Sequence, residues 1–216
     1  MRNSNIDLIN FAIGLPRKMK YGKEKEVDTA ICKETVEETF LKKVGFCGDG
    51  VADLRHHGGL DRAVCVYPYE HYLLWEQEFK ISLPPAAFGE NLTVTNMLER
   101  DVCIGDIYRL GEAVIQVTQG RIPCSTITKR TGIPKLLKRM VETGYTGFLC
   151  RVLGEGTVKK DSNIVLVEPH PKKVSIFSAN QIYFQKSGDD DGLKNVLEVK
   201  ELAGEWRDQL TKRLGK

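Results

Sequence analysis

Up to about residue 170, apolar positions come in short bursts separated by polar and glycine-bearing turns. IDLINFAIG (6–14), VDTAI (27–31), AVCVY (63–67), NLTV (91–94), IYRL (107–110), AVIQVT (113–118), FLCRVL (148–153) and IVLVE (164–168) are rich in β-branched residues, which favour extended chain. Leu110-Gly111-Glu112 and Asp161-Ser162-Asn163 read as turns between them. Two stretches follow a helical rhythm instead. PYEHYLLWEQEF (68–79) opens on a proline suited to a first helical position and sets Tyr72, Trp75 and Phe79 on one stripe. PKLLKRMVETG (134–144) starts at Pro134 and stops at Gly144. The pattern predicts a mainly β barrel or sandwich with some helix, rather than a βαβ array.

The rhythm changes after PHPKK (169–173). The tail divides into SIFSANQIYFQ, DDGLKNVLEV and ELAGEWRDQLTKRL, and in the last piece Leu202, Trp206, Leu210 and Leu214 recur every fourth residue. Three helices this short bury too little surface to stand alone. They are expected to pack on the β domain or on a second copy of the chain, so a homodimer is one of two outcomes. The division that follows is a β-barrel domain over 1–171 and a three-helix extension over 172–216.

Composition narrows the function classes. The 216 residues are 41% hydrophobic and 28% charged, ordinary values for a soluble protein with a core. With 32 basic against 29 acidic residues the formal net charge is +3. That balance argues against a nucleic-acid surface but leaves room for a local basic pocket. No apolar run approaches the roughly 18 residues of a membrane helix. The N-terminal MRNSNIDLINFAIGLPRK interrupts its apolar stretch with Asp7 and Asn10, unlike a signal peptide. The six cysteines are scattered with no CxxC pair, which predicts reduced thiols in the cytoplasm and no zinc site.

Three segments carry candidate chemistry. GDGVADLRHHGGLDRAV (48–64) offers backbone amides around Gly58 and Gly59 for an anion-holding nest, and Arg55 and Arg62 as forked donors; a plain Gly-Gly turn is the competing reading. Adjacent His56 and His57 would point to opposite faces of a strand, so a metal clamp made of both is not expected. FGENLTV (88–94) places Glu90, Asn91 and Thr93 at the mouth of a strand, where they line a pocket or satisfy local backbone. In QGRIPCSTITKRTG (119–132), Pro123 stiffens a turn that presents Cys124, and Arg121 nearby favours its thiolate. Cys32, Cys47, Cys65, Cys103 and Cys150 lack such a setting and read as inert thiols. Cys124 with His57 would be a nucleophile–base pair if the two met. No GxSxG, HExxH or Walker-type motif is present.

Taken in order, GDGVADLRHHGGLDRAV, FGENLTV, QGRIPC and GYTGFLCRVLGEGTV resemble the MOSC family, the C-terminal domain type of molybdenum cofactor sulfurases. The tail from roughly residue 174 resembles the three-helix extension of the family's YiiM-like branch. The resemblance implies a barrel related to that of pyruvate kinase and a molybdenum–pterin cofactor (molybdopterin with Mo). It also implies Cys124 as metal ligand and catalytic residue, a thiolate completing a soft sulfur environment. By the same matching, Arg121, His57, Gly58, Gly59 and Arg62 would hold the cofactor, and Glu90, Asn91 and Thr93 would line its cavity. Asp61 would orient groups or transfer a proton. Family members often carry an aromatic residue and a lysine after the motif cysteine, where Ser125 and Thr126 stand here, and proline where Gly120 stands.

Two activities are expected from the resemblance. The first is reduction of small N-hydroxylated compounds, such as hydroxylaminopurine-type bases, to amines. With no dinucleotide fingerprint and no iron–sulfur cysteine pattern, its electrons would come from a separate reductase. The second is a sulfur carrier, Cys124 accepting sulfur as a persulfide from a pyridoxal-phosphate-dependent cysteine desulfurase. The sequence shows no aminotransferase-like segment, so a complete cofactor sulfurase is not expected.

Overall fold

A computed structural model describes residues 5–52, 58–184 and 189–214. The N-terminal third forms β1 (Leu8–Ile13), β2 (Arg17–Tyr21), β3 (Lys25–Thr29), β4 (Glu34–Thr35), β5 (Glu38–Lys42) and β6 (Gly45–Phe46). A single 3-10 turn, Leu60–Arg62, leads into β7 (Val64–Pro68), α1 (Tyr69–Phe79), β8 (Leu92–Val94), β9 (Ile107–Leu110) and β10 (Ala113–Gly120). Then come α2 (Ser125–Thr131), α3 (Leu136–Thr143), β11 (Phe148–Gly154), β12 (Gly156–Lys159) and β13 (Ile164–Glu168). The chain closes with α4 (Ile176–Phe184), α5 (Asp190–Leu197) and α6 (Gly204–Thr211).

Eight strands pair side by side in the order β13-β9-β10-β11-β7-β8-β1-β4, a mixed sheet that curls into a half-barrel. Every junction is antiparallel except β7–β8. A parallel pair needs a crossover, and α1 supplies it. Two smaller sheets, β12-β5-β6 and the β2–β3 hairpin, complete the β part. The turn at Gly111–Glu112 joins β9 to β10, with Ala113 opposite Leu110 and Gly111 at φ 58°, a value glycine adopts freely.

The three C-terminal helices share one hydrophobic core with the half-barrel. Ile176, Ala179, Leu193, Val196, Leu202, Trp206 and Leu210 are buried in the same cluster as Phe11, Val64, Leu110, Ile115 and Phe148. This explains why the C-terminal part of β10 is buried on both faces rather than alternately. Of the predicted tail stripe, Leu202, Trp206 and Leu210 face inward, while Leu214 remains 42% exposed. A second cluster gathers Tyr67, Tyr72, Trp75, Ile127, Leu136 and Met140 from β7, α1, α2 and α3, with Phe88 from the loop before β8.

Local expectations and structure differ in two places. Pro68 ends β7 and serves as the N-cap of α1, one position before its expected place. The segment read as strand 27–31 is the second arm of a hairpin, in which Lys25–Thr29 pairs with Arg17–Tyr21. RKMKY and KEVDT bury only Met19 and Thr29 and half-bury Tyr21 and Val27, so their charge masks the strand period. Gly144 behaves as expected: it closes α3 in the left-handed conformation, φ 73°.

Candidate functional site

A cleft of about 850 Å³ opens where the ends of β7, β10 and β11 meet the 28–33, 44–52 and 58–63 segments. Its floor is a row across three neighbouring strands: Cys65 lies opposite Leu149, and Leu149 opposite Gln119. The β10–β11 register slips between Val117 and Gln119. Such an irregularity re-aims the side chains that follow. Gln119 and Arg121, two residues apart, both line the cleft, and Pro123 and Cys124 continue the same wall. Cys124 occupies the N-cap of α2, so its position is set jointly by β10, Pro123 and the buried anchor Ile127.

Arg121 is held in place by its own backbone and side chain. Its amide donates to Gly147 O at 3.0 Å, and Nη2 donates to the Phe88 carbonyl. Nη1 is buried with no acceptor among the described residues. Burial opposes the guanidinium charge, but Cys65, Cys124 and Glu90 together more than offset this and carry its pKa above the ordinary arginine value. Among the described residues, the other two basic ones on the cleft wall are already paired, Lys33 with Asp49 and Arg62 with Glu205. Gln119 Oε1 is likewise buried without a donor. Arg121 and Gln119 thus both border the cleft, and each carries a buried side-chain atom without a partner among the described residues.

The predicted site residues separate into two groups. Gly58, Gly59, Arg62, Asn91, Arg121 and Cys124 line the cleft. Gly59 takes φ 117°, a conformation that favours glycine, and its carbonyl accepts from Arg62 N at 3.0 Å. Arg62 folds back to donate from Nε to Gly58 O at 2.8 Å. Asn91 is fully engaged: Oδ1 accepts from Cys65 N at 3.0 Å, and Nδ2 reaches Asp49 Oδ2 at 2.8 Å and Ala12 O at 3.2 Å. It shapes the wall rather than offering spare donors. His57, with Arg55 and His56, lies outside the described residues.

Glu90, Thr93 and Asp61 are not on the cleft wall, and each has a physical reason. Glu90 is completely buried behind it, where Oε1 accepts from Tyr72 Oη and from Thr93 Oγ1 at 2.8 Å, and Oε2 from Phe88 N at 3.2 Å. Burial, and then the charge of Glu90, push the Tyr72 pKa far up, so the phenol stays a neutral donor. Glu90 and Thr93 thus hold α1 against β8 instead of lining the cavity. Asp61 turns away to pair with Arg151 at 2.7 Å and to accept from Gly204 N at 3.0 Å.

Sequence reading missed Lys33, Asp49, Cys65, Gln119 and Glu205 as cleft residues. Asp49 is the hub of one wall, accepting from Gly14 N at 2.8 Å as well as from Lys33 and Asn91. Only the GDG context hinted at it. Cys65, read as an inert thiol, faces the cleft, yet burial raises its pKa despite the nearby Arg121. The Cys150 thiol, fully buried, is raised by the same cause. A raised pKa means less thiolate at any given pH. Iodoacetamide at pH 8 is accordingly expected to leave both unmodified in the folded protein, read by peptide mass spectrometry. Alkylation of Cys65 at the rate of an unfolded control would contradict this.

A half-barrel with a helical extension, and a cleft built from an R-x-P-C turn, a Gly-Gly loop and a GEN segment, define a recognisable class. The chain matches the family model described as MOSC domain over residues 53–165, and that described as YiiM-like, 3-alpha helix domain over residues 174–216. It belongs to the MOSC family, with the YiiM-like three-helix domain appended. Among relatives, it is 39% identical over 214 residues to the Bacillus subtilis protein YflK, a match spanning 99% of this chain and 96% of that one. A protein of Gibberella moniliformis named reductase is 40% identical over 157 residues, which is 68% of this chain but 27% of that protein. The crystal structure of YiiM from Geobacillus stearothermophilus superposes with a TM-score of 0.81 at 32% identity, covering 97% of this chain and 99% of that one. Among the described residues no helix is long and apolar enough to cross a membrane.

Proposed function

We propose that the cleft holds a molybdenum–pterin cofactor and that the protein reduces small N-hydroxylated compounds to amines. The observation that supports this reading is Arg121 on the cleft wall, a guanidinium whose Nη1 has no acceptor among the described residues, beside Gln119, whose Oε1 has no donor among them. An anionic phosphate would suit the guanidinium and a ring bearing N–H donors the amide oxygen once the two side chains turn toward the cleft, and a pterin phosphate offers the two in one molecule. Cys124 on the adjoining wall is the candidate metal ligand, since a thiolate suits a soft-sulfur molybdenum site. Gly58 and Gly59 leave room for close approach on the opposite side, and His57 is proposed to join them.

When bound, the cofactor supplies two-electron chemistry that breaks the N–O bond, consuming two protons and releasing water. The chain's own part is to seat the anion at Arg121, to offer the sulfur of Cys124, and to admit the substrate past an apolar rim. Val44, Leu60 and Ile122 form that rim, Val44 being 76% exposed. A flat, weakly polar base suits such an entrance. The electron source is proposed to be a separate reductase protein. The fungal relative's name, reductase, supports the reaction class.

The test uses protein purified from cells that synthesise the cofactor. Molybdenum and pterin are measured first, then reduction of 6-hydroxylaminopurine with a chemical electron donor. Wild-type protein is expected to carry molybdenum and to form adenine, and Cys124→Ala to lose adenine formation by at least about a thousandfold, the scale of removing a group essential to the reacting centre. Full activity in Cys124→Ala would sink the ligation. A metal-free protein with a labile sulfur on Cys124 would instead mark a sulfur carrier fed by a desulfurase.

A further inference from the structure

The loop that faces the cleft at Gly58 and Gly59 is fastened to the C-terminal helices, not only to the half-barrel. Asp61 Oδ1 accepts from Arg151 Nη2 at 2.7 Å, and Oδ2 from the amide of Gly204, the first residue of α6, at 3.0 Å. Arg151 Nη2 also donates to Glu201 O at 3.0 Å. From the barrel side, Thr118 Oγ1 donates to the Asp61 carbonyl at 2.7 Å, while Ala203 N donates to Thr118 O at 3.1 Å. Arg62 completes the lock: Nε holds Gly58 O and Nη1 pairs with Glu205, the second residue of α6. Glu205 is itself a cleft-lining residue. The helical extension therefore builds part of the cleft wall.

We propose that Glu205 is a positioning residue, through which the three-helix extension sets the conformation of the 58–62 loop and so the grip of the cleft on its cofactor. Glu205 holds Arg62, and Arg62 holds the Gly58 carbonyl, so the carboxylate fixes the direction in which the Gly58–Gly59 peptide faces. Its second effect is electrostatic. With Arg62 neutralised by Glu205 and Lys33 by Asp49, the net attraction for an anion falls at Arg121 rather than being spread over three cations. The extension thereby helps define where the anion sits as well as what shape the loop takes.

The consequence for the cofactor rests on the function proposed above; the effect on the loop does not. Hydrogen–deuterium exchange on cofactor-free, full-length protein tests the loop first. In Glu205→Gln, the peptide covering residues 58–63 is expected to exchange about tenfold faster, as loss of one charge-assisted hydrogen bond implies. Amides of β10 and β11 should stay as protected as in wild type, and Glu205→Asp should restore much of the protection. Unchanged exchange in 58–63, or an equal rise across β10 and β11, overturns the positioning role. Molybdenum content in cofactor-producing cells is then compared, and Glu205→Gln is expected to retain several-fold less metal than wild type. Faster loop exchange with equal metal content overturns the link to the cofactor. Wild type without molybdenum would refute the proposed function while leaving the exchange result to decide the loop.

Discussion

Arg121→Gln is expected to leave the protein folded but nearly free of molybdenum. Glutamine keeps an N–H donor near the Phe88 carbonyl but removes the charge and the buried Nη1 that has no acceptor. A charge-assisted hydrogen bond contributes about 1.5–3 kcal/mol, and each 1.4 kcal/mol is a factor of ten in affinity. The cofactor should therefore bind roughly ten- to a hundredfold more weakly. The loss should be visible because Lys33 and Arg62 are already tied to carboxylates and cannot readily substitute. Because Cys65, Cys124 and Glu90 more than offset the burial of this charge, removing it gives up a favourable interaction, and the apo protein is expected to melt somewhat below the wild-type temperature. Metal analysis with a thermal scan of apo protein checks both parts. Wild-type metal content in Arg121→Gln would mean that the anion is seated elsewhere in the cleft.

The elements readable in advance were those whose apolar period is strong or whose ends carry a turn residue. The strands around Val64, Ile107, Ala113, Phe148 and Ile164, and the stop of α3 at Gly144, belong to this kind. The β2–β3 hairpin escaped because it packs little against the core, and α2 because its seven residues contain only one buried anchor, Ile127. At the site, the R-x-P-C turn and the Gly-Gly loop were legible as local chemistry. Their partners were not, since they come from far along the chain: Asp61 meets Arg151 across 90 positions, and Arg62 meets Glu205 across 143. Glu90 and Thr93 were misplaced for another reason, since their partners are close in sequence, Tyr72 lying 18 positions and Thr93 three positions from Glu90. A polar GENLT run looks like a pocket wall until the Tyr72 hydroxyl, delivered by α1, draws the glutamate inward.

The Gly120→Ala substitution should cost the fold most, because it strikes where the half-barrel, the helical extension and the cleft join. A β-carbon at position 120 would sit 2.8 Å from Asn180 Cγ and 3.1 Å from Trp206 Cη2. Neither neighbour can yield cheaply. Trp206 is fully buried, and Asn180, also fully buried, donates from Nδ2 to Gly144 O at 2.8 Å and to Thr146 Oγ1 at 3.0 Å. Overpacking of this kind costs about 1–3 kcal/mol, and a displaced Asn180 strands buried acceptors at about 1–3 kcal/mol more. For a chain of this size each kcal/mol is worth about 2–4 °C, so a fall in melting temperature of roughly 4–24 °C is expected. A proline at 120 would place ring atoms in the same volume, which gives a packing reason for glycine at this position. Gly120→Ala with Asn180→Gly should regain part of the loss, because it removes the clash but not the stranded acceptors. Gly120 also pairs with Phe148, and Arg121 bonds to Gly147 O, so displaced helices would shift both ends of the cleft wall. A calorimetric scan of the single and double variants settles the packing claim, and a Gly120→Ala protein that melts with wild type would remove it.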